Sequence, residues 1–393
     1  MKKLLISVSI IIVTVLSIAF DGFASWQGPT IILTSSWGSA AGQIGISYGD
    51  SGDDFARSFG VSQSGNLVIA DSINEVLHVF NSNGVFQREI KNTFVWRGWP
   101  GDVLVNDECA VVNYVQFTQT FNILTGALIG KADNMGGADY VNDDCSQIYS
   151  GGKAGWKIYS PTGQLIRTMA TRPLELGAVR EKALADNKYK ITMTYPDKTY
   201  TLTTNNTFMR YVRDMKGYVY GVNDDSLWKF DQCGRQVGEL LMPEDQTETV
   251  TSKTGKSLAI PVQYGQPVIA PNGDVYTWKQ SMLKYSIVKW TWVDDPNVPT
   301  GPDAPSGLAV TPSINGLYLT WTASPQDPGC VTGYEVARAT TSGGVFSTVG
   351  TVDKGVVKYN DTTASTGTTY YYKVRAKAGS EYSPYTSEVS GRR

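Results

Sequence analysis

Between residues 55 and 90 the apolar positions fall into four short runs, 59–62, 66–70, 76–80 and 85–90, each too short for a helix. Ser64-Gly65 and Asn83-Gly84 separate the first pair and the last pair. Both are two-residue hairpin signals, because glycine takes φ > 0 without a steric penalty. Asp71-Ser72-Ile73-Asn74 makes a slightly longer polar connection in the middle. The pattern predicts four strands in up-and-down order. Such a sheet is unstable alone and needs neighbours against its faces.

The unit recurs. Residues 99–131 turn at Asn106-Asp107 and Leu124-Thr125-Gly126, and 136–170 turn at Asn142-Asp143 and Ser160-Pro161-Thr162-Gly163. Residues 176–206 turn at Asp186-Asn187 and Tyr195-Pro196-Asp197, and 208–243 at Lys216-Gly217 and Asp231-Gln232-Cys233-Gly234. The fourth copy is the weakest, and its start, 179–184, reads equally as a helical turn. A last copy, 266–292, holds only three strands around Pro271-Asn272-Gly273. A lone apolar strand at 31–35 is the piece it lacks, so the two incomplete ends are expected to pair and remove an open sheet edge. Repeats of this size imply radial stacking.

Phe59-Gly60-Val61, then Gly65 through Ser72 (GNLVIADS), then Val79-Phe80-Asn81-Ser82-Asn83-Gly84 and Arg88-Glu89-Ile90 resemble one blade of an NHL-repeat β-propeller. The resemblance implies an all-β fold: a six-bladed β-propeller over 25–293, closed by the N-terminal strand. It implies no function, since such propellers serve as enzymes, receptors and scaffolds. Residues 294–302 lie in a Pro/Gly/Asp-rich stretch and are read as a flexible linker. Residues 303–393 resemble a fibronectin type III β-sandwich. The carriers are Pro305-Ser306-Gly307-Leu308, Trp321, Val331 through Val336 (VTGYEV) and Gly367 through Ala376 (GTTYYYKVRA), with Tyr370 where that family has its corner tyrosine.

The formal net charge of −2 gives no basic footprint for nucleic acid. Lys2-Lys3, the apolar run 4–20 and Gly22-Phe23-Ala24 read as a cleaved signal peptide over 1–24 of bacterial type. The mature protein is therefore expected to be secreted, extracellular or at the cell surface, with no stable membrane insertion. Four cysteines would meet an oxidising compartment. Cys109 and Cys145 occupy equivalent places in successive copies. Sheets stack about 10 Å apart, which favours free thiols over a bridge. Nothing in the sequence brings Cys233 to Cys330.

Catalytic vocabulary is sparse. His78 is the only histidine and sits mid-strand, so it is read as structural rather than as a triad member or zinc ligand. The resemblance to propeller lyases that depend on histidine-bound zinc therefore cannot carry their activity here. Asp50, Asp53 and Asp54 are weak Ca²⁺ candidates, with ordinary Asx-turn chemistry the stronger reading, and no cofactor is expected. The stretch KNTFVWRGWP (91–100) places Phe94, Trp96 and Trp99 around Arg97, a composition suited to stacking on sugar rings or gripping a peptide, with packing between sheets the other reading. Long connections at 39–54, 91–98 and 244–264 leave one end of the stack, the last with a hairpin near Lys253–Lys256. The expectation is a non-catalytic recognition or surface-scaffold protein whose partner is an extracellular glycan, peptide or protein, bound through Phe94, Trp96, Arg97 and Trp99. The alternative is a secreted polysaccharide hydrolase or lyase using a carboxylate pair.

Overall fold

The computed structural model describes residues 25–393 apart from 50–51, 57, 92–100, 115–116, 134–136, 143, 153–154, 174–176, 185–187, 224, 244–245, 252–256, 295–300, 328 and 380. The signal-peptide reading of 1–24 lies outside the described residues. All regular elements among the described residues are strands.

The 55–90 pattern becomes a four-stranded antiparallel sheet of Ser58–Val61, Leu67–Asp71, Val76–Phe80 and Phe86–Lys91. Its two middle strands are buried on both faces, and their residues divide by alternation. Leu67, Ile69 and Phe80 pack with Ala270, Tyr276, Tyr285 and Ile287, while Val68, Ala70, Leu77 and Val79 pack with Val103, Ala110, Val112 and Phe121. One sheet thus completes two cores. Each fully buried aliphatic side chain contributes roughly 1.5–3 kcal/mol of transfer free energy, which is why the unit is stable only between neighbours.

Equivalent sheets follow at 103–133, 140–169, 178–204 and 210–241, the 178–204 sheet having three strands. The ambiguous start of the fourth copy is a strand, Ala178–Ala183, paired along its length with Tyr189–Thr194. The last sheet joins the chain's two incomplete ends as the pattern required. Ser25–Ser36 runs antiparallel to Lys284–Val293, with Ile31 opposite Val288 and Leu33 opposite Ile287. The expected hairpin before it is Gln246–Thr251 with Ser257–Tyr264, and it extends this sheet by pairing Val262–Tyr264 with Lys279–Ser281.

Shared cores fix the packing order. The 103–133 sheet packs on 140–169, 58–91 on 103–133, the last sheet on 58–91, 210–241 on the last sheet, and 178–204 on 210–241. Among the described residues no hydrophobic cluster joins 140–169 to 178–204. Among the described residues the sheets are not closed into a barrel or propeller. A turn feature runs parallel to this. Gly84, Gly163 and Gly234, each with positive φ, sit where an added Cβ would meet a carbonyl of the preceding sheet at 1.9, 2.0 and 2.2 Å (Ile32, Lys131 and Thr201). The corresponding turn of the 178–204 sheet is Tyr195-Pro196-Asp197-Lys198, which has no glycine to make that approach.

Residues 306–392 form two further sheets. One contains Ser306–Ser313, Gly316–Thr322 and Lys358–Asp361. The other is centred on Gly333–Ala339 and Thr369–Ala378. Trp321, Tyr334, Val336, Tyr372 and Val374 fill the core between them. The Tyr370 hydroxyl accepts the Ser365 N–H at 3.4 Å, tying the strand to the corner upstream.

The free-thiol reading of Cys109 and Cys145 is corrected. Cys109 and Cys145 form a disulfide with Cα atoms 6.3 Å apart. The 10 Å spacing applies between sheet planes, whereas Cys145 lies in a turn, at φ 58°, and not in a sheet. The Asn106 side chain also donates to the Asn142 carbonyl at 3.0 Å, holding the two turns together. Cys233 and Cys330 form the second bridge, with Cα atoms 4.8 Å apart. It joins the 210–241 sheet to the C-terminal sheets. Beside it Arg235 binds both Asp231 and Asp303, at 2.7 and 2.9 Å, and the Asp303 N–H donates to Gln326. The covalent route bypasses the 294–302 segment, so a linker that is the sole tether is not what the structure shows.

Candidate functional site

In a four-stranded up-and-down sheet, the last strand ends where the first began. Connections between consecutive sheets therefore leave from one common end. The hairpin Ile46–Gly49 with Gly52–Phe55 belongs to one connection and the hairpin 246–264 to another. The aromatic stretch 92–100 belongs to a third.

The first of these is held down from below. Asp71, fully buried, ends the second strand of the 58–91 sheet and accepts the Gly45 N–H at 2.7 Å and the Ile73 and Asn74 N–H groups at 3.1 and 3.0 Å. It also binds His78 Nε2 at 3.1 Å and Asn74 Nδ2 at 2.9 Å. Asn74 in turn donates to the Gly38 carbonyl at 2.7 Å. Burial would raise the Asp71 carboxyl, but these donors hold it below the ordinary carboxylate value. His78 is buried beside it, with Nδ1 3.8 Å from Glu89. The second connection is fixed at its base by Glu248, which accepts from Ser281 Oγ at 2.8 Å and lies 3.4 Å from Lys284. The Trp37 indole donates to the Ser281 carbonyl at 3.0 Å, so both connections meet the same turn.

At this end the first strands of the sheets lie side by side, 140–141 next to 103–105, 103–105 next to 58–61, and 58–61 next to 268–269. Strand Arg210–Arg213 completes the group, because the Arg210 guanidinium donates to the Pro267 carbonyl. Arg210 is exposed. Neighbouring protein still pulls its pKa below the usual guanidinium value by desolvation, and Asp102 pulls the other way. Asp102 directly follows Gly101, whose N–H is fixed to the Asn113 carbonyl at 2.8 Å.

At the opposite end, Lys229 is only 2% exposed. Its ammonium lies 3.8 Å from the ring centre of Tyr218, 4.7 Å from Trp292, 5.4 Å from Tyr220 and 5.6 Å from Trp26. Asp214 accepts from Tyr220 at 2.8 Å, and Asp294 from Trp292 and Tyr218 at 2.6 and 3.1 Å. Burial pushes the Lys229 amine down to about 8 against the pull of Asp214 and Asp294.

Phe94, Trp96, Arg97 and Trp99 lie outside the described residues, as does Asp50. Asp53 and Asp54 fall in the strand Gly52–Phe55, for which only the backbone is described. Among the described residues no group of three or more His, Cys, Asp or Glu side chains could hold a metal ion. At two of the repeat turns aspartates bond the backbone: Asp144 accepts the Ser146 N–H at 3.0 Å, and Asp231 accepts those of Cys233 and Arg235 at 2.8 and 3.0 Å. The sequence reading did not single out Arg210, Asp71 or Lys229. The only signal for them was a charge within a strand run or at its end, which one sequence does not distinguish from a solvated face.

No family model matches the chain. No curated protein matches it. Among solved structures the chain is similar to a Fn3-like protein from Clostridium thermocellum, at 34% identity over 23% of this chain and 90% of that one, TM-score 0.21. It is also similar to a streptogramin B lyase, a β-propeller, at 10% identity over 61% of this chain and 93% of that one, TM-score 0.35. A third similarity is to a two-domain fibronectin type III segment of chicken tenascin, at 14% identity over 55% of this chain and 95% of that one, TM-score 0.25.

Proposed function

We propose that this is an exported, non-catalytic recognition or surface-scaffold protein, a six-bladed NHL-like propeller followed by a fibronectin type III sandwich. It binds an extracellular glycan, peptide or envelope component through the loop-bearing end of the propeller. The observation that carries the reading is that the 46–55 and 246–264 hairpins both belong to connections that leave one end of the sheets, the first over a buried anchor at Asp71. Loops presented by a rigid scaffold are where binding groups concentrate. The propeller reading is supported by the pairing of the two chain ends in one sheet, and the sandwich reading by the Tyr370 corner. Two disulfides, one within the repeat sheets and one joining them to the C-terminal sheets, accord with an oxidising compartment.

The test uses the full mature chain against an immobilised glycan and peptide panel, with Trp96→Ala/Trp99→Ala as the variant. Aromatic anchors of an interface cost about 2 kcal/mol or more each on truncation, so the double variant is expected to lose about a thousandfold in affinity at an unchanged Tm. A sharply lowered Tm would instead place those rings in a core, where truncation costs about 3–5 kcal/mol, and would remove them from the binding site.

A further inference from the structure

Among the described residues the other repeat sheets hold four strands or more, and the 178–204 sheet holds three. The docking glycines identify the strand it lacks. Gly84 and Gly163 meet the outermost strand of the sheet before them, at Ile32 and Lys131, and Gly234 meets Thr201 in the same way. Thr199–Thr204 is therefore an outermost strand, and the missing one is the innermost. It would pair with Ala178–Ala183, which is bonded on one side only, to Tyr189–Thr194. Half of the backbone N–H and C=O groups of that strand face away from its partner, a template for another strand. Its side chains separate by alternation. Val179 packs with Ile191 and Met193 toward the 210–241 sheet, and Glu181 accepts the Tyr211 hydroxyl. Arg180 and Lys182 lie on the other face, both exposed, with Lys182 directly opposite Lys190. Among the described residues none of these three cations has a carboxylate within ion-pair distance. Like charges opposite one another destabilise a sheet unless something of the other sign joins them.

We propose that this edge takes an extended acidic peptide as the missing strand, its carboxylates alternating with apolar side chains. Main-chain bonds along Ala178–Ala183 supply the grip, and side chains at alternate positions supply the choice of partner. Carboxylates two residues apart fall beside Arg180 and Lys182. The apolar residues between them fall on the side of Val179 and Tyr211. A glycan has no ladder of alternating N–H and C=O groups to offer the edge. A second copy of the strand, lying with the same face outward, would set Arg180 and Lys182 against their own kind. This edge is separate from the loop-bearing connections, so its failure leaves the reading of those connections untouched.

Fluorescence anisotropy of the full mature protein with a labelled, end-blocked hexapeptide alternating glutamate and valine tests this. Wild type is expected to bind it, more weakly as salt rises, and to bind the matching lysine–valine peptide about tenfold less or worse. Arg180→Gln/Lys182→Gln should lose about fivefold, the range of two cross-strand charge pairs. Backbone pairing is read separately by N-methylating every second residue of the peptide, which removes N–H donors at unchanged charge. One phase of methylation should abolish binding and the other spare it, because only alternate N–H groups face the edge. Hydrogen–deuterium exchange should slow in 178–183 when the peptide is bound. Failure of wild type to bind the glutamate–valine peptide overturns the proposal. Equal binding of the parent and both methylated peptides overturns strand addition, since charge alone then holds the peptide. Protection at 38–57 or 242–267 in place of 178–183 also overturns it and moves the peptide to the loop-bearing end.

Discussion

Lys229 shows how far a single residue can be set by its surroundings. Four aromatic faces and two carboxylates, Asp214 and Asp294, favour its charged form, while burial opposes it and prevails. The amine loses its proton at about 8 in the folded protein, against about 10.4 in an unfolded chain. Between those values the unfolded state binds more protons, so stability rises with pH across this window. Denaturant melts at pH 7, 8, 9 and 10 should show that rise. Lys229→Met keeps the stem among the rings and removes the ammonium, so it should flatten the profile and add on the order of 2 kcal/mol at pH 7. A wild-type profile that falls from pH 8 to pH 10 would contradict this. The buried place of His78 was legible because it alternates with Leu77 and Val79 within a strand run. Its partner Asp71 was read only as the start of a polar connection. It does accept turn N–H groups, but its grip on Gly45, 26 residues earlier, is a tertiary fact that local pattern cannot carry.

Elements were more legible than single residues, because strand and turn signals are local. The hairpin glycines marked most of the turns, and the unpaired 31–35 strand found its partner through the shortage of one strand at the other end. The 179–184 segment stayed ambiguous for a physical reason. Its exposed positions carry Arg, Glu and Lys, which fit a helix as well as a polar strand, and only pairing with Tyr189–Thr194 decides. The same scale offers a check on how sheets dock. Gly84 combines φ 72° with an approach of 1.9 Å between its would-be Cβ and the Ile32 carbonyl, whereas Gly355, at φ 77°, has nothing within 4 Å. Gly355→Ala should therefore cost only the left-handed conformation, about 1 kcal/mol. Gly84→Ala must also push the N-terminal strand away and should cost about 3 kcal/mol or more in chemical denaturation. Similar losses in both would mean that turn geometry, not docking, demands the glycine.

For the whole molecule, the sequence divides the chain near 294–302 but does not show that Cys233 crosses that boundary to Cys330, since disulfide connectivity depends on tertiary placement. The bridge, with Arg235 spanning Asp231 and Asp303, ties the two halves at a second point. Limited proteolysis should cut within 295–300 and yield two fragments that migrate together on a non-reducing gel and part only on reduction. Fragments that separate without reductant would contradict the staple. The packing order leaves its seam between the 140–169 and 178–204 sheets, where turn 195–198 lacks the docking glycine. The account's central claim, that recognition belongs to the end where the long connections meet, is tested most directly by hydrogen–deuterium exchange of the full-length protein with and without a ligand captured from the panel. Protection is predicted in 38–57, 91–102 and 242–267, with 303–393 unchanged. Protection confined to 303–393 would contradict the account and move the site to the C-terminal sheets.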